Sequence, residues 1–280
     1  MPGTLYLVAT PIGNLNDITY RAVEVLKQVD LIACEDTRHS RKLLQHYGID
    51  TKTISYHEHN ELERSRQLLK LLAEGTDLAV ISDAGTPLIN DPGYRLLRLA
   101  VEKNITAVPI PGPSAVVTAL VASGLPTDQF LFAGFLPPRS GARRARLNEL
   151  RAIPATLVFY EAPHRLAASL KDGFEILGER EAVVARELTK LHEQIKRGRL
   201  SSLAEYFSES QNARGEIVLL INHSVIEPPA GASVQKTIAQ LVRQFEGEGF
   251  DHRTALKKAA RELKIPRAEA YRLMVAQRAD

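Results

Sequence analysis

A single cysteine, Cys34, stands among the 280 residues, so no internal disulfide can form and no thiolate cluster is available to zinc. That usage fits a reducing compartment, and a cytoplasmic protein is expected. No apolar run approaches the ~18 residues that a membrane-spanning helix needs, so no membrane partner is expected. The opening Met1-Pro2-Gly3-Thr4 carries no basic stretch and moves directly into a strand-like run, which predicts no secretory signal. Nucleotide signatures are missing too. No G-x-G-x-x-G follows a strand and no G-x-x-x-x-G-K-[ST] occurs, which disfavours a dinucleotide site and a P-loop. H-E-x-x-H is absent; His57 and His59 flank Glu58 at a spacing that suits neither face of a helix, so no metal is expected.

What is present is an ordinary globular composition, 44% hydrophobic and 25% charged. The net charge is +3, and it is unevenly distributed. From Arg253 to Asp280 there are eight Lys or Arg against three Asp or Glu, a net +5, which leaves the rest of the chain near −2. A basic tail on a near-neutral body suggests a polyanionic partner.

Short apolar runs alternate with amphipathic stretches in the first 122 residues. Strands are predicted at 5–9, 31–34, 53–56, 78–82 and 106–110, with helices such as 20–28 and 61–74 between them. Asn60 and Glu63 have the spacing of a capping box. Repeated strand–helix units predict a mostly parallel sheet, which binds ligands beyond the carboxyl ends of its strands. The loops there are rich in Gly, Pro and polar residues: Thr10-Pro11-Ile12-Gly13-Asn14, Glu35-Asp36-Thr37-Arg38, His57-Glu58-His59-Asn60, Ser82 through Gly93, and Pro111-Gly112-Pro113-Ser114-Ala115.

A second α/β region is expected over 123–225, with strands near 130–133, 156–160, 182–185 and 216–222. Residues 226–232, Pro-rich, read as a linker. A helical part follows over 233–280, in which 253–263, a Lys264-Ile265-Pro266 turn and 267–277 resemble a helix–turn–helix pair. The fold class is thus two α/β domains with a small C-terminal helical domain.

Taken alone, the Ser82–Gly93 loop is also readable as two successive turns, and Ser114 as a plain helix cap. Two such loops on one sheet rim favour a shared small-molecule site. The strings Val8-Ala9-Thr10-Pro11-Ile12-Gly13-Asn14-Leu15, Glu35-Asp36-Thr37-Arg38, Ser82 through Gly93, Pro111 through Ala115 and Phe135-Leu136-Pro137 together resemble one branch of the tetrapyrrole methylase superfamily. That branch is the bacterial small-subunit ribosomal RNA cytidine-2′-O-methyltransferase family, and the resemblance covers essentially the whole chain.

The resemblance implies S-adenosylmethionine held between two α/β domains. Carried over, its contacts fall on Pro11, Asp83, Ala84, Gly85, Ser114 and Ala115 from the first domain, and on Tyr160, Glu161, Ala162 and Leu188 from the second. It implies a cytidine of 16S ribosomal RNA as substrate, within an assembled small subunit, and a homodimer. Corrin-making relatives carry Gly-Asp-Pro in the fourth loop where this chain has Ser82-Asp83-Ala84-Gly85, which argues against a tetrapyrrole substrate. A ribose 2′-hydroxyl must lose its proton to become methylated. Candidate groups are Glu35, Asp36, Arg38, His57, Glu161, Glu187 and Lys190; Asp36 with Arg38 also reads as a simple loop ion pair. RNA contacts are expected from a basic loop, Arg139, Arg143, Arg144 and Arg146, and from tail residues Lys257, Lys258, Arg261, Lys264, Arg267 and Arg272. Two rivals remain open on the residues themselves: a small-molecule tetrapyrrole methyltransferase, and a metabolite-sensing regulator whose tail reads DNA.

Overall fold

The computed structural model describes residues 1–209, 213–223, 238–263, 270 and 274. The chain forms two compact units, Met1–Ser224 and Val225–Asp280.

Five apolar segments of the first unit become a wholly parallel sheet. Strands β1 (Leu5–Val8), β2 (Leu31–Cys34), β3 (Thr53–Ser55), β4 (Leu78–Ile81) and β5 (Ala107–Ile110) pair in the order β3-β2-β4-β1-β5. All four residues of β4 are buried, because a parallel strand covered by helices on both faces has no wet side. The crossovers are α1 (Tyr20–Gln28), α2 (Thr37–His46), α3 (Glu61–Ala73) and α4 (Tyr94–Glu102). Leu68 and Leu72 of α3 pack with Leu96 and Ala100 of α4 against Leu5 and Leu78, while Leu26 of α1 packs on the other face with Ile32 and Ala79. Each fully buried leucine of this kind contributes about 1.5–3 kcal/mol.

The capping box expected at Asn60 does not form. Asn60 makes no side-chain cap, and its amide instead accepts from the His57 backbone N–H (2.9 Å) and donates to the Ser55 carbonyl (3.3 Å). The local loop competes for the same side chain and wins it.

The second sheet is mixed. It comprises β6 (Phe130–Phe135), β7 (Thr156–Glu161), β8 (Glu181–Arg186), β9 (Gln194–Arg199) and β10 (Ile217–Ile221), in the order β6-β7-β10-β8-β9. Only β6 and β7 are parallel; the other neighbours run antiparallel. Alternate residues face opposite cores. Leu157, Phe159, Val184, Leu219 and Ile221 join one cluster with Leu147, Leu166 and Leu170 from α6 (Ser140–Leu150) and α7 (Pro163–Leu177). Val158, Val183, Ala185, Val218 and Leu220 face the other way, onto Val116, Ala119 and Leu120 of α5 (Ala115–Ser123) and Ile12 of the first loop. Helix α5, directly after the parallel sheet, therefore covers this face of the second sheet.

Strand β9 was not foreseen from the sequence. Its segment, Gln-Ile-Lys-Arg-Gly-Arg, lacks the apolar content of a central strand, but it pairs only with β8 at the edge, where basic side chains are tolerated and deter further strand addition. After it comes α8 (Leu200–Tyr206).

In the second unit, α9 (Ile238–Gly247) and α10 (His252–Glu262) bury Leu241, Val242, Ala255, Leu256 and Ala259 in a core of their own. Asp251 caps α10 by accepting from the Arg253 and Thr254 N–H groups. The expected linker at 226–232, the turn at 264–266 and most of the expected helix at 267–277 lie outside the described residues. Among the described residues no helix is long and apolar enough to cross a membrane.

Candidate functional site

Strand β1 runs on toward β2 on one side, and β4 toward β5 on the other, so a crevice opens at the carboxyl ends of this central pair. The loops there are tied together. Thr10 and Gly85 exchange backbone hydrogen bonds of 2.9 and 3.0 Å, and the Thr10 hydroxyl donates to the Ser82 carbonyl (3.1 Å). Gly85 sits at φ +87°, in the region that favours glycine, and so permits this approach. The Thr86 hydroxyl donates to the Pro113 carbonyl (3.1 Å), which joins the fourth loop to the fifth. At its far end the fourth loop is held from behind. The Glu61 carboxylate accepts from the backbone N–H groups of Gly93 (3.1 Å) and Arg95 (3.4 Å) and pairs with the Arg95 side chain (3.4 Å). The segment between carries Leu88 and Asn90 at φ +72° and +68°, conformations that L side chains occupy only when surroundings impose them.

A cleft of about 390 Å³ lies where these loops face the second sheet, within the ~300–1,000 Å³ typical of small-ligand sites. Ile12, Ala84, Thr86, Ile89, Asn90, Asp91, Ser114 and Ala115 line one wall; Phe135, Tyr160, Glu161, Ala162, Pro163, Leu188 and 215–218 line the other. Seven residues expected to hold a cofactor thus meet there: Ala84, Ser114, Ala115, Tyr160, Glu161, Ala162 and Leu188. Pro11, Asp83 and Gly85 stand outside the lining. Asp83 instead accepts from the backbone N–H of Asp36 (3.2 Å) and so supports the second loop. Ser114 occupies the cap position of α5, yet its hydroxyl makes no cap bond and is left available at the cleft.

The second wall is braced internally. The buried Glu161 carboxylate pairs with Arg165 (2.8 Å) and accepts from the Ser169 hydroxyl and the Ala162 N–H. Tyr160 stacks edge-on against Phe132, and burial, together with the Asp91 and Glu216 charges, pushes its phenol up to about 12. Glu187, at φ +51°, accepts from the Glu216 N–H and from Lys190 (3.0 Å each), and Lys190 also reaches Glu216 (3.1 Å). Burial opposes both charges, but these contacts outweigh it: the Glu187 carboxyl is held below its ordinary range and the Lys190 ammonium above. Two candidate catalytic groups, Glu187 and Lys190, thus form a brace across one turn.

The remaining candidates cluster behind the first wall. Burial, then the nearby Asp83 charge, raise the Glu35 carboxyl, with His57 partly opposing them. Asp36 caps α2 through the Arg38 N–H (2.8 Å) and pairs with the exposed Arg38 guanidinium (3.4 Å); its carboxyl is lowered by those bonds. His57 lies 3.3 Å from the Asn60 amide through Nε2, while its buried Nδ1 has no partner among the described residues. Asp91 was missed. It sits in the loop already singled out, eight residues beyond Asp83, the acid of that loop that the resemblance had marked. Burial, then Glu35 and Asp83, push its carboxyl up to about 6.

The expected basic loop is corrected: residues 140–150 form helix α6. Arg143 is on its inner face, 5% exposed, bound to Asp172 (2.6 Å) and the Pro138 carbonyl, and so is not free for phosphate. Its spacing with Leu147 and Leu150 is that of a buried stripe. Arg139 and Arg146 are exposed; Arg144 is half-buried, paired with Glu175 and Asp172. In the second unit Lys257, Lys258 and Arg261 are exposed, with Lys258 over the Phe250 ring (3.5 Å). Lys264, Arg267 and Arg272 lie outside the described residues.

A parallel sheet and a mixed sheet, each covered by helices on both faces and sharing a cleft at the switch point of the parallel sheet, define a two-sheet α/β class of protein. The family model for Tetrapyrrole (Corrin/Porphyrin) Methylases matches residues 4–204, and the chain belongs to that family. A Synechocystis protein named ribosomal RNA small subunit methyltransferase I is 47% identical over 279 residues, 99% of each chain. Its namesake from Escherichia coli O157:H7 is 51% identical over 261 residues, 92% of this chain and 88% of that one. Among solved structures, a uroporphyrin-III-C-methyltransferase from Thermus thermophilus superposes with a TM-score of 0.58 at 21% identity, over 79% of this chain and 94% of its own. At that identity the likeness concerns the fold.

Proposed function

We propose that this protein transfers a methyl group from S-adenosylmethionine to the ribose 2′-oxygen of a cytidine in small-subunit ribosomal RNA. The observation that carries the reading is the near-full-length identity to proteins named ribosomal RNA small subunit methyltransferase I, 47% over 279 residues in one case; the ribose and the cytidine come from the resemblance of the loop motifs. The cleft fits the donor: Ile12, Ile89, Phe135 and Leu188 offer apolar surface, and Ser114 a hydroxyl without another partner in its cap. S-adenosylmethionine, when bound, supplies an electrophilic methyl group on a positively charged sulfur.

The protein's own part is to bind, orient and remove a proton. Ala84, Ser114, Ala115, Tyr160, Ala162 and Leu188 hold the donor; Pro11, Asp83, Gly85 and Glu161 keep the surrounding loops in shape. Glu35 and His57 are the groups suited to accept the 2′-hydroxyl proton, since both are partly buried beside the cleft loops and neither is paired to a lysine or arginine among the described residues. Asp36 and Arg38 orient the acceptor ribose, and orientation can supply much of the acceleration. Arg139, Arg144 and Arg146, with Lys257, Lys258 and Arg261, attract phosphate. The reading includes domains at 1–122, 123–225 and 233–280, a homodimer, a cytoplasmic setting and an assembled particle as substrate.

The test offers methyl-labelled S-adenosylmethionine with assembled small subunits, naked ribosomal RNA or a tetrapyrrole precursor. Label on a cytidine ribose is expected, most strongly in assembled subunits. Label on the tetrapyrrole alone, or on a base rather than a ribose, would sink the proposal.

A further inference from the structure

We propose that Asp91 makes the cleft select the positively charged methyl donor over its neutral, demethylated product. The inference rests on the methyl-donor reading above and concerns how the two forms of that ligand are told apart.

Three acidic side chains line the cleft: Asp91, Glu161 and Glu216. Two are neutralised by the protein itself, Glu161 by Arg165 (2.8 Å) and Glu216 by Lys190 (3.1 Å). Asp91 has no lysine, arginine or histidine within 4.0 Å among the described residues; the neighbouring Ser82 hydroxyl donates to the Gly85 carbonyl (3.1 Å), and the charged neighbours of Asp91, Glu35 and Asp83, are acids. One wall therefore carries negative charge that the fold leaves unanswered.

The proposed ligand answers it. S-adenosylmethionine carries an ammonium, a carboxylate and a sulfonium, a net positive charge; loss of the methyl leaves a thioether and a net charge of zero. Apart from that, donor and product differ by one methyl group, which shape alone discriminates by only about 10–200-fold even in a purpose-built pocket. The lining includes Ile12, Ile89, Phe135 and Leu188, whose apolar surface can tell the two ligands apart by shape alone and not by charge. A unit positive charge facing a carboxylate at a partly buried site is attracted to it, where water screens the pair less than in bulk, and the neutral thioether is not. Asp91 is thus placed to hold the donor and to release the product once the positive charge has gone.

Calorimetry on the full-length protein tests this with three ligands: S-adenosylmethionine, S-adenosylhomocysteine, and the donor analogue bearing an ammonium in place of the sulfonium. Asp91→Asn is expected to weaken both cationic ligands about tenfold and the neutral product less than twofold. Asp91→Glu, which restores the charge, is expected to recover most of the loss. Equal weakening of all three ligands would make Asp91 a structural residue and overturn the proposal. Unchanged binding of all three with weakened RNA capture would overturn it too, and would assign the carboxylate to the cytosine amino group. If Asp91→Asn does not fold, the wild type decides: equal affinity for the ammonium analogue and the neutral product would overturn the proposal, and tighter binding of the analogue would support it. Failure of the wild type to bind any of the three would refute the methyl-donor reading itself, which is a different result.

Discussion

The two walls of the cleft handle charge in opposite ways. On the second-sheet side, Glu161, Glu187 and Glu216 each meet a cation, Arg165 or Lys190, and the acids serve to fix turns. On the first-sheet side, Glu35, Asp83 and Asp91 converge from three loop positions with no lysine or arginine partner among the described residues. Paired charges define shape; unpaired charges cost folding energy and persist where a ligand makes use of them. One wall is a scaffold, and the other is the chemically open face.

The largest effect that can break this contrast is on the scaffold side. Glu161→Gln leaves Arg165, 19% exposed, without its counter-charge, and should cost about 3 kcal/mol, the usual penalty for breaking a buried pair. Urea denaturation measures it; a loss below about 1 kcal/mol would show that the pair is not a structural brace.

Asp91→Asn should act in the other direction. The Asp91 carboxyl is raised from 3.8 to about 6 by burial and by Glu35 and Asp83, with Ser82 opposing; Tyr160 also faces it. A raised carboxyl penalises the native state once it ionises: the penalty is absent below about pH 4, grows as pH rises and is complete above about pH 6. At about pH 7.5 the asparagine variant should therefore be more stable by roughly 1–2 kcal/mol, after discounting for solvent screening, while binding the donor less well. Thermal melts at about pH 4 and 7.5 provide the check; equal stability of the two proteins at both values would mean that the acid is not strained.

Much of this was readable in advance. The strands of the parallel sheet announced themselves as short apolar runs, and the loops after them as ligand loops, because burial on both faces leaves little freedom of composition. The second sheet was less legible. Strand β9 owes its place to one neighbour rather than to its own side chains, and Arg143 looks like a surface arginine until Asp172, 29 residues on, is brought beside it. Asp91 stood in plain view within the Ser82–Gly93 string, but its lack of a counter-charge is a property of two loops together, which no local pattern contains.

Two smaller effects sharpen the comparison. Glu187→Ala removes the acceptor for the Glu216 N–H and the Lys190 partner, and should cost about 1 kcal/mol in a urea titration without changing the preference for the cationic donor. A lost preference would move Glu187 from the scaffold to the binding face. Arg38→Ala should change stability by less than about 0.5 kcal/mol, since its guanidinium is 88% exposed, yet methyl transfer should fall well beyond any change in donor affinity. Normal turnover would reduce Asp36 and Arg38 to a helix cap with an ornamental ion pair.

The carboxylate of Glu61, gripping the backbone at Gly93 and Arg95, has a thermodynamic consequence. With Thr10 clasping the other end at Gly85, the fourth loop is a chain tethered at two points, and the entropy of ordering it has already been lost on folding. A ligand entering the cleft meets a mould that needs no further freezing, so more of its contact energy survives as affinity.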